Sequence, residues 1–422
     1  MAIQTSPAVD RRGTGQGSSR DGRRRSLVVE WLAHPQASFY LVLVPAVLLL
    51  ALGVMMVLSA SSVYAHVRFD DAYYFVKRQV IFLVIGGVAA FLLARRPPQH
   101  LKVFGWLMVV AALVLQLLTF TPLGFSNNGN TNWVQFGTSI FRIQPSEFAK
   151  LAIVVWGADV FARKHRQLGD PRHLMIPFVP VSAILIGLVV LQSDLGTGMI
   201  MGMLVLAALW YVGASWKVLA TLVGSVALAV GVLVVTTPYR MTRILGFFNQ
   251  DLDPLGVNHQ PIKAIFALAS GGWWGLGLGA SRQKWGGLVE SHTDYMLAVI
   301  GEELGLVGTL LVLGLFLVLG YAGFRIAMRS DIRFTRYTAA GVTSWFMIQA
   351  LVNIAVVLRM IPVLGVPLPL LSYGGSALMA NLMALGVLLA CARQEPEYRE
   401  FLRRRKRRRD RSPLVTTAAG RG

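Results

Sequence analysis

Residues 38–60 read SFYLVLVPAVLLLALGVMMVLSA and contain no charged side chain. A helix needs about 20 mostly apolar residues to cross the hydrocarbon layer of a bilayer. The core of a signal peptide is shorter, about 7–15 residues, so this run reads as an uncleaved spanning helix even though Val63 and Ala65 resemble a cleavage site. Similar runs follow at about 79–94, 101–120, 146–162, 174–191, 195–214, 217–236, 295–324, 337–358 and 375–392. An open sheet edge cannot be satisfied in lipid, so each run is expected to be helical. The long run at 295–324 is expected to tilt or to protrude from the bilayer. The fold class is therefore an all-α integral membrane protein of ten transmembrane helices.

Composition agrees. Hydrophobic residues make up 55% of the chain and charged residues 14%, against roughly 25% charged in an average soluble domain. The net charge of +20 raises the question of nucleic acid, but its distribution answers it. Arg11, Arg12, Arg20 and Arg23 to Arg25 precede the first apolar run, and Arg403 to Arg409 follow the last. Basic tails flanking apolar segments suit cytoplasmic ends and anionic lipid head groups, so no nucleic-acid partner is expected. The chain divides into a disordered basic tail at 1–37, a transmembrane domain at 38–395 and a second basic tail at 396–422. The single cysteine, Cys391, forms no internal disulfide and reads as a small apolar filler.

Orientation follows from Lys and Arg between the runs. With both termini in the cytoplasm, inside segments carry Arg95, Arg96, Lys102, Arg163, Lys164, Arg166, Arg172, Lys217, Arg325, Arg329, Arg333 and Arg336. Outside segments carry far fewer, as the positive-inside rule requires. Two outside loops, at about 121–145 and 237–294, exceed the length of simple connections. The second lies between spans 7 and 8. It contains Trp273, Trp274 and Trp285 and an apolar stretch at 262–269, which predicts short amphipathic helices on the membrane surface.

Polar residues at membrane depth or at its edge are costly, so each needs a reason. They are Glu147, Lys150, Asp159, Asp194, Asp294, Glu302, Glu303, Asn353, Arg359 and Asn381. Asp294 falls at the outside mouth of a span, where Ser291 or Thr293 could cap the helix. Glu302 lies about 12 Å further along roughly the same helical face. Asp294 is either a charge that complements a helix dipole or a general base. Glu302 alone could equally be a buried ion-pair partner. Arg240 and Arg243, in Tyr239-Arg240-Met241-Thr242-Arg243, suit either a phosphate group or snorkelling toward lipid, and Lys263 and Lys284 add charge to the same loop. Trp133 could be an interface anchor.

These motifs taken together resemble the SEDS family of membrane peptidoglycan polymerases. The matching strings are Asn132-Trp133, Gln144-Pro145-Ser146-Glu147 with Lys150, Asp194-Leu195-Gly196-Thr197, Tyr239-Arg240 with Arg243, Ser270-Gly271-Gly272, His292-Thr293-Asp294 with Glu302-Glu303, and Pro369 to Gly375. The string Gly275 to Lys284 looks more like the division members than the elongation members.

The resemblance implies a glycosyltransferase acting on lipid II at the outer face of the cytoplasmic membrane. It implies Asp294 as the essential acid, acting as general base, with Arg240, Arg243 and Lys263 holding a departing pyrophosphate. Trp133 and Glu302 match two further functional positions. A divalent cation, Mg or Mn, bridging Asp294 and the pyrophosphate is compatible with it. So are a class B penicillin-binding protein and other divisome proteins as partners, at the division septum. Two other classes remain open at this point: a lipid II flippase, which should show a polar cavity reachable from both sides, and a scaffold, which would tolerate loss of Asp294.

Overall fold

The computed structural model describes residues 32–411, apart from 128–129, 136, 138–141, 249–255, 257, 286–287 and 289–290. The expected tail at 1–37 lies mostly outside the described residues, and so does the end of the second tail beyond 411.

The chain opens with three helices, α1 (Ala37–Phe69), α2 (Tyr74–Ala94) and α3 (Pro98–Leu118). On α3, Leu101, Gly105, Met108, Ala112 and Gln116 are buried, while Val103, Trp106, Leu107, Val110, Val114 and Leu117 are exposed. Both faces are thus mainly apolar. A helix at a water-facing surface is polar on its outer side, whereas one apolar all round belongs in a protein core or in lipid. The exposed apolar side of α3 is where lipid would sit.

A small sheet follows, with β1 (Gly124–Asn127), β2 (Asn130–Gln135) and β3 (Arg142–Ile143) paired antiparallel in that order. It occupies the first long loop and departs from the all-helical expectation. Its strands are too short to show an alternating pattern in the sequence. Register is held by apolar cross-strand pairs, Phe125 with Trp133 and Val134 with Ile143.

The remaining helices are α4 (Pro145–Lys164), α5 (Pro171–Met175), α6 (Phe178–Leu191), α7 (Leu195–Val212), α8 (Trp216–Val235), α9 (Pro238–Phe248), α10 (His259–Ser270), α11 (Met296–Arg329), α12 (Arg333–Val357), α13 (Gly375–Ala392) and α14 (Pro396–Arg411). Among the described residues, nine helical segments are long and apolar enough to cross a membrane, with α5 and α6 counted as one. The run expected at 146–162 forms α4, which is not among the nine. Glu147, Lys150, Asp159, Arg163 and Lys164 make it too charged for an apolarity criterion. Yet α4 is central. It packs against α3, α6, α7, α12 and α13, and every residue from Pro145 to Phe161 is buried.

Close helix contacts rest on small residues, as expected where lipid competes for apolar surface. On the α2–α13 seam, an added methyl at Gly386 would strike the backbone of Ala90, and one at Gly86 would crowd Met379 and Leu382. At one end of the bundle, Arg325 Nε donates to Ser38 Oγ at 3.1 Å and Ser38 Oγ donates to Glu395 at 3.1 Å. Arg329 pairs with Glu397 at 3.1 Å, and Phe39 packs beside Tyr398. Both ends of the described chain therefore meet at one end of the bundle. The basic segment after 396 is helical as far as Arg411.

The long run at 295–324 lies within α11, Met296–Arg329. It is broken. Gly305 has φ 69° and ψ −165° inside α11, a conformation essentially confined to glycine. A methyl group there would strike the backbone of Gly275 and Trp273. The break leaves a short buried piece, Met296 to Glu303, beside the second long loop.

Candidate functional site

Asp294 precedes Tyr295, the N-cap of α11. Tyr295 makes no side-chain capping bond, and Ser291 Oγ donates to the Ala60 carbonyl on α1 at 3.3 Å. Residues 291–294 are drawn onto neighbouring elements. Tyr373 N–H donates to the His292 carbonyl at 2.9 Å. Asn353 Nδ2 on α12 donates to the carbonyls of Asp294 and Val366, each at 2.7 Å. One buried amide thus ties the Asp294 backbone to the 361–366 segment. The Asp294 side chain is half-buried, and a methyl on Gly365 would stand 3.5 Å from its Oδ2.

Several sequence strings converge at this end of the bundle. Asp194 caps α7 by accepting from Thr197 N–H at 3.0 Å. Its other oxygen accepts from Asn132 at 2.9 Å and from Gln144 at 3.2 Å. Gly196 packs so closely on the Leu364 carbonyl that no larger residue fits, and Gln144 N–H donates to Ser376 Oγ at 3.0 Å. Asp194 therefore links the sheet to α7, and Gly196 seats α7 on the segment beside Asp294. Trp133 is half-buried on β2 and is joined to this network through its neighbour Asn132.

The expected arginine pair separates. Arg240 turns back along the chain and donates to the Leu233 carbonyl on α8 at 3.3 Å. Arg243 donates to the Val363 carbonyl at 3.4 Å. Arg243, Phe247, Asn258, Arg359, Ile361 and Val363 are among the residues lining a small, partly open pocket. The residues around this pocket do not include Arg240, Lys263 or Asp294. Asp294 is nonetheless joined to it through one short segment, in which Val363 lines the pocket and Gly365 flanks the Asp294 carboxylate. The side chains of Tyr239 and Lys284 lie outside the described part of the structure.

Glu302 is fully buried and faces the second long loop. Ser281 Oγ donates to it at 2.5 Å and Arg282 N–H at 2.9 Å. Glu303 accepts from Ser59 Oγ at 2.6 Å and from Ser281 N–H at 3.3 Å. Main-chain bonds from Leu276 to the Glu302 carbonyl, 2.9 Å, and from Gly277 to the Glu303 carbonyl, 3.0 Å, complete the clamp. The two glutamates hold the glycine-rich loop onto α11 and α1, which places Glu302 in the loop's support. Deeper on α4, Lys150 pairs with Glu147 at 2.7 Å and donates to Gln349 at 2.9 Å, which also accepts from Trp345 at 2.7 Å.

Two contributors had no assigned role in the sequence. Asn353 and Arg359 stand out there only as costly polar residues. A signal for Arg359 exists, a cation just past the end of a span beside a proline, but nothing local shows that it turns toward Arg243.

A model of the family described as cell cycle protein, that of FtsW, RodA and SpoVE, matches residues 39–397. This chain belongs to that family. A probable peptidoglycan glycosyltransferase FtsW of Mycobacterium tuberculosis is 36% identical over 376 residues, covering 89% of this chain and 71% of the relative. Stage V sporulation protein E of Bacillus subtilis is 39% identical over 358 residues, covering 84% and 96%. Among solved structures, a chain of a peptidoglycan synthase complex, studied for its coordination of polymerization and crosslinking, superposes with a TM-score of 0.68 at 28% identity. Rod shape determining protein RodA of Thermus thermophilus does so with 0.61 at 27%. Each comparison spans 87% of this chain and 99% of the other. The SEDS resemblance of the motifs and the membrane-helical fold are thereby established, and the Asp294 cluster lies wholly inside the matched region.

Proposed function

We propose that this chain polymerises lipid II into glycan strands at the outer face of the cytoplasmic membrane, in septal cell-wall synthesis. Relatives named peptidoglycan glycosyltransferase support the activity, and the number named FtsW supports the division role over elongation. The observation that carries the reading is the convergence at one end of the bundle. Asn353 ties the Asp294 backbone carbonyl to the segment that borders a cationic pocket, and the Asp294 carboxylate stands half-buried beside that segment.

In the proposed reaction, Asp294 takes the proton from the 4-hydroxyl of the GlcNAc of an incoming lipid II. That oxygen forms a bond to the anomeric carbon of the lipid-linked glycan. The bond from that carbon to the pyrophosphate oxygen breaks with inversion, and undecaprenyl pyrophosphate leaves with its electron pair. Negative charge grows on the leaving group, so fixed cationic donors act where they help most. Arg243, on the wall of the pocket, would do this. Arg240 and Lys263 belong to the same loop and would act at its rim.

No group of three or more His, Cys, Asp or Glu among the described residues is arranged to hold a metal ion. A Mg or Mn ion would fit only as ions held by one carboxylate plus phosphate oxygens do, with Asp294 as its protein ligand. Bound there, it would neutralise phosphate charge. In this reading a chelator lowers the polymerisation rate and added Mg restores it; an unchanged rate removes the ion from the proposal.

The termini face the cytoplasm in this orientation, ten helices cross, and the 237–294 loop faces out. A class B penicillin-binding protein, acting within the divisome, is the proposed partner that cross-links the glycan. The test is purified full-length chain with that partner, in detergent, given labelled lipid II. Glycan polymer is the expected product. Transport of labelled lipid II across vesicles without polymer would instead favour a flippase.

A further inference from the structure

Arg359 occupies a position that its side chain alone does not explain. Helix α12 ends at Val357 with Leu358 as its C-cap. Arg359 N–H then bonds to the Val356 carbonyl at 2.9 Å, and Met360 N–H to the Ala355 carbonyl at 2.8 Å. These are the two bonds of a Schellman ending, whose left-handed residue is usually glycine. Here that residue is Arg359, with φ 56°. An arginine in this backbone region carries strain that glycine would not.

The side chain shows what is kept in exchange. Arg359 lines the pocket with Arg243, and its Nη2 is buried without a hydrogen-bond partner among the described residues. A buried guanidinium nitrogen left unsatisfied is costly, and a planar donor fork is well matched to phosphate oxygens. A snorkelling arginine would instead extend its nitrogens to the lipid surface. The pocket is also tied to the catalytic candidate, because the 361–366 segment passes from its wall at Val363 to the flank of Asp294 at Gly365.

We propose that Arg359 and Arg243 together form a phosphate-binding subsite for the pyrophosphate of a polyprenyl-linked ligand. This rests on the polymerase reading for the identity of the lipid, but not for the phosphate chemistry. Arg359 is the group that completes the subsite, replacing the partner that Arg240 was expected to be.

The test uses purified full-length protein in neutral detergent. Its melting temperature is followed with farnesyl pyrophosphate, farnesol, inorganic pyrophosphate or an anionic phospholipid added. Parent protein should be stabilised by farnesyl pyrophosphate, less by inorganic pyrophosphate, and not by farnesol. Arg359→Gly relieves the backbone, so it should melt at or above the parent temperature while the pyrophosphate response weakens about ten- to hundredfold in half-saturating concentration. Arg359→Lys, which keeps charge but loses the fork, should fall between them. With lipid II, Arg359→Gly should raise KM by a similar factor. No response in the parent, or an undiminished one in Arg359→Gly, overturns the proposal. Stabilisation by the phospholipid alone assigns the arginines to bulk lipid and overturns it as well. Response to inorganic pyrophosphate alone removes the lipid-borne source. Asp294→Asn should keep the pyrophosphate response while losing polymer. A parent that makes no polymer yet shows an Arg359-dependent response would remove the polymerase reading and leave the subsite standing.

Discussion

Arg240 and Arg243 stand one helical turn apart on α9, yet their side chains go to different elements. Arg240 satisfies a carbonyl of α8, and Arg243 reaches the segment beside Asp294. The two should therefore not be interchangeable. Arg243→Ala is expected to raise KM for lipid II about ten- to hundredfold, the range for a lost charge-assisted hydrogen bond. Arg240→Ala should change it only a few-fold. Equal effects would contradict the placement. The sequence displayed both arginines, and their spacing alone put them on one helical face. It could not show the divergence, because the partner carbonyls, Leu233 and Val363, lie on elements whose approach is set by tertiary packing. Asn353 was hidden for the same reason. Its importance is that one amide serves two carbonyls from different segments, and no local pattern encodes that.

At the scale of elements, the second long loop and α11 form a single unit. Gly305 breaks the helix so that Gly271 to Gly277 can lie against its backbone, and Glu302 and Glu303 close the contact through Ser281 and Ser59. Glu302→Ala should leave buried donors unpaired at a cost of about 1–3 kcal/mol. It should speed hydrogen exchange across 275–282 and lower kcat more than it changes KM. A rise in KM alone, with the loop still protected, would show that Glu302 meets substrate instead. Helix α4 carries a second such unit. Lys150→Met leaves Glu147 as a buried unpaired charge, which typically costs about 3–5 kcal/mol, while the double replacement Glu147→Leu with Lys150→Met should recover much of that stability. Equilibrium unfolding in detergent can compare the three. These buried charges explain a contrast in legibility. The apolar runs announced the membrane helices plainly, because lipid demands an uninterrupted apolar length. Helix α4 was readable by its place in the series although its charges obscure it. The sheet at 124–143 was not readable, since strands of two to six residues carry too little pattern.

For the whole molecule, the proposed orientation has the loop end of the bundle outside the cell and the joined termini inside. With Cys391 replaced by Ala, a cysteine at Trp273, which is 68% exposed, should react with a membrane-impermeant maleimide on intact cells. A cysteine at exposed Arg333 should react only after permeabilisation; the reverse pattern would invert the topology. Charge bias along the sequence is what suggests that orientation, while the meeting of α1, α11, α13 and α14 at one end of the bundle depends on contacts distant in sequence. The most direct measurement of the central claim is glycan polymer formed from lipid II by purified Asp294→Asn, with its partner, beside the parent protein. Loss of a general base typically costs about 10²- to 10⁴-fold, so polymerisation should fall at least that far while melting behaviour is retained. Polymer made at the parent rate by a well-folded Asp294→Asn would contradict the account.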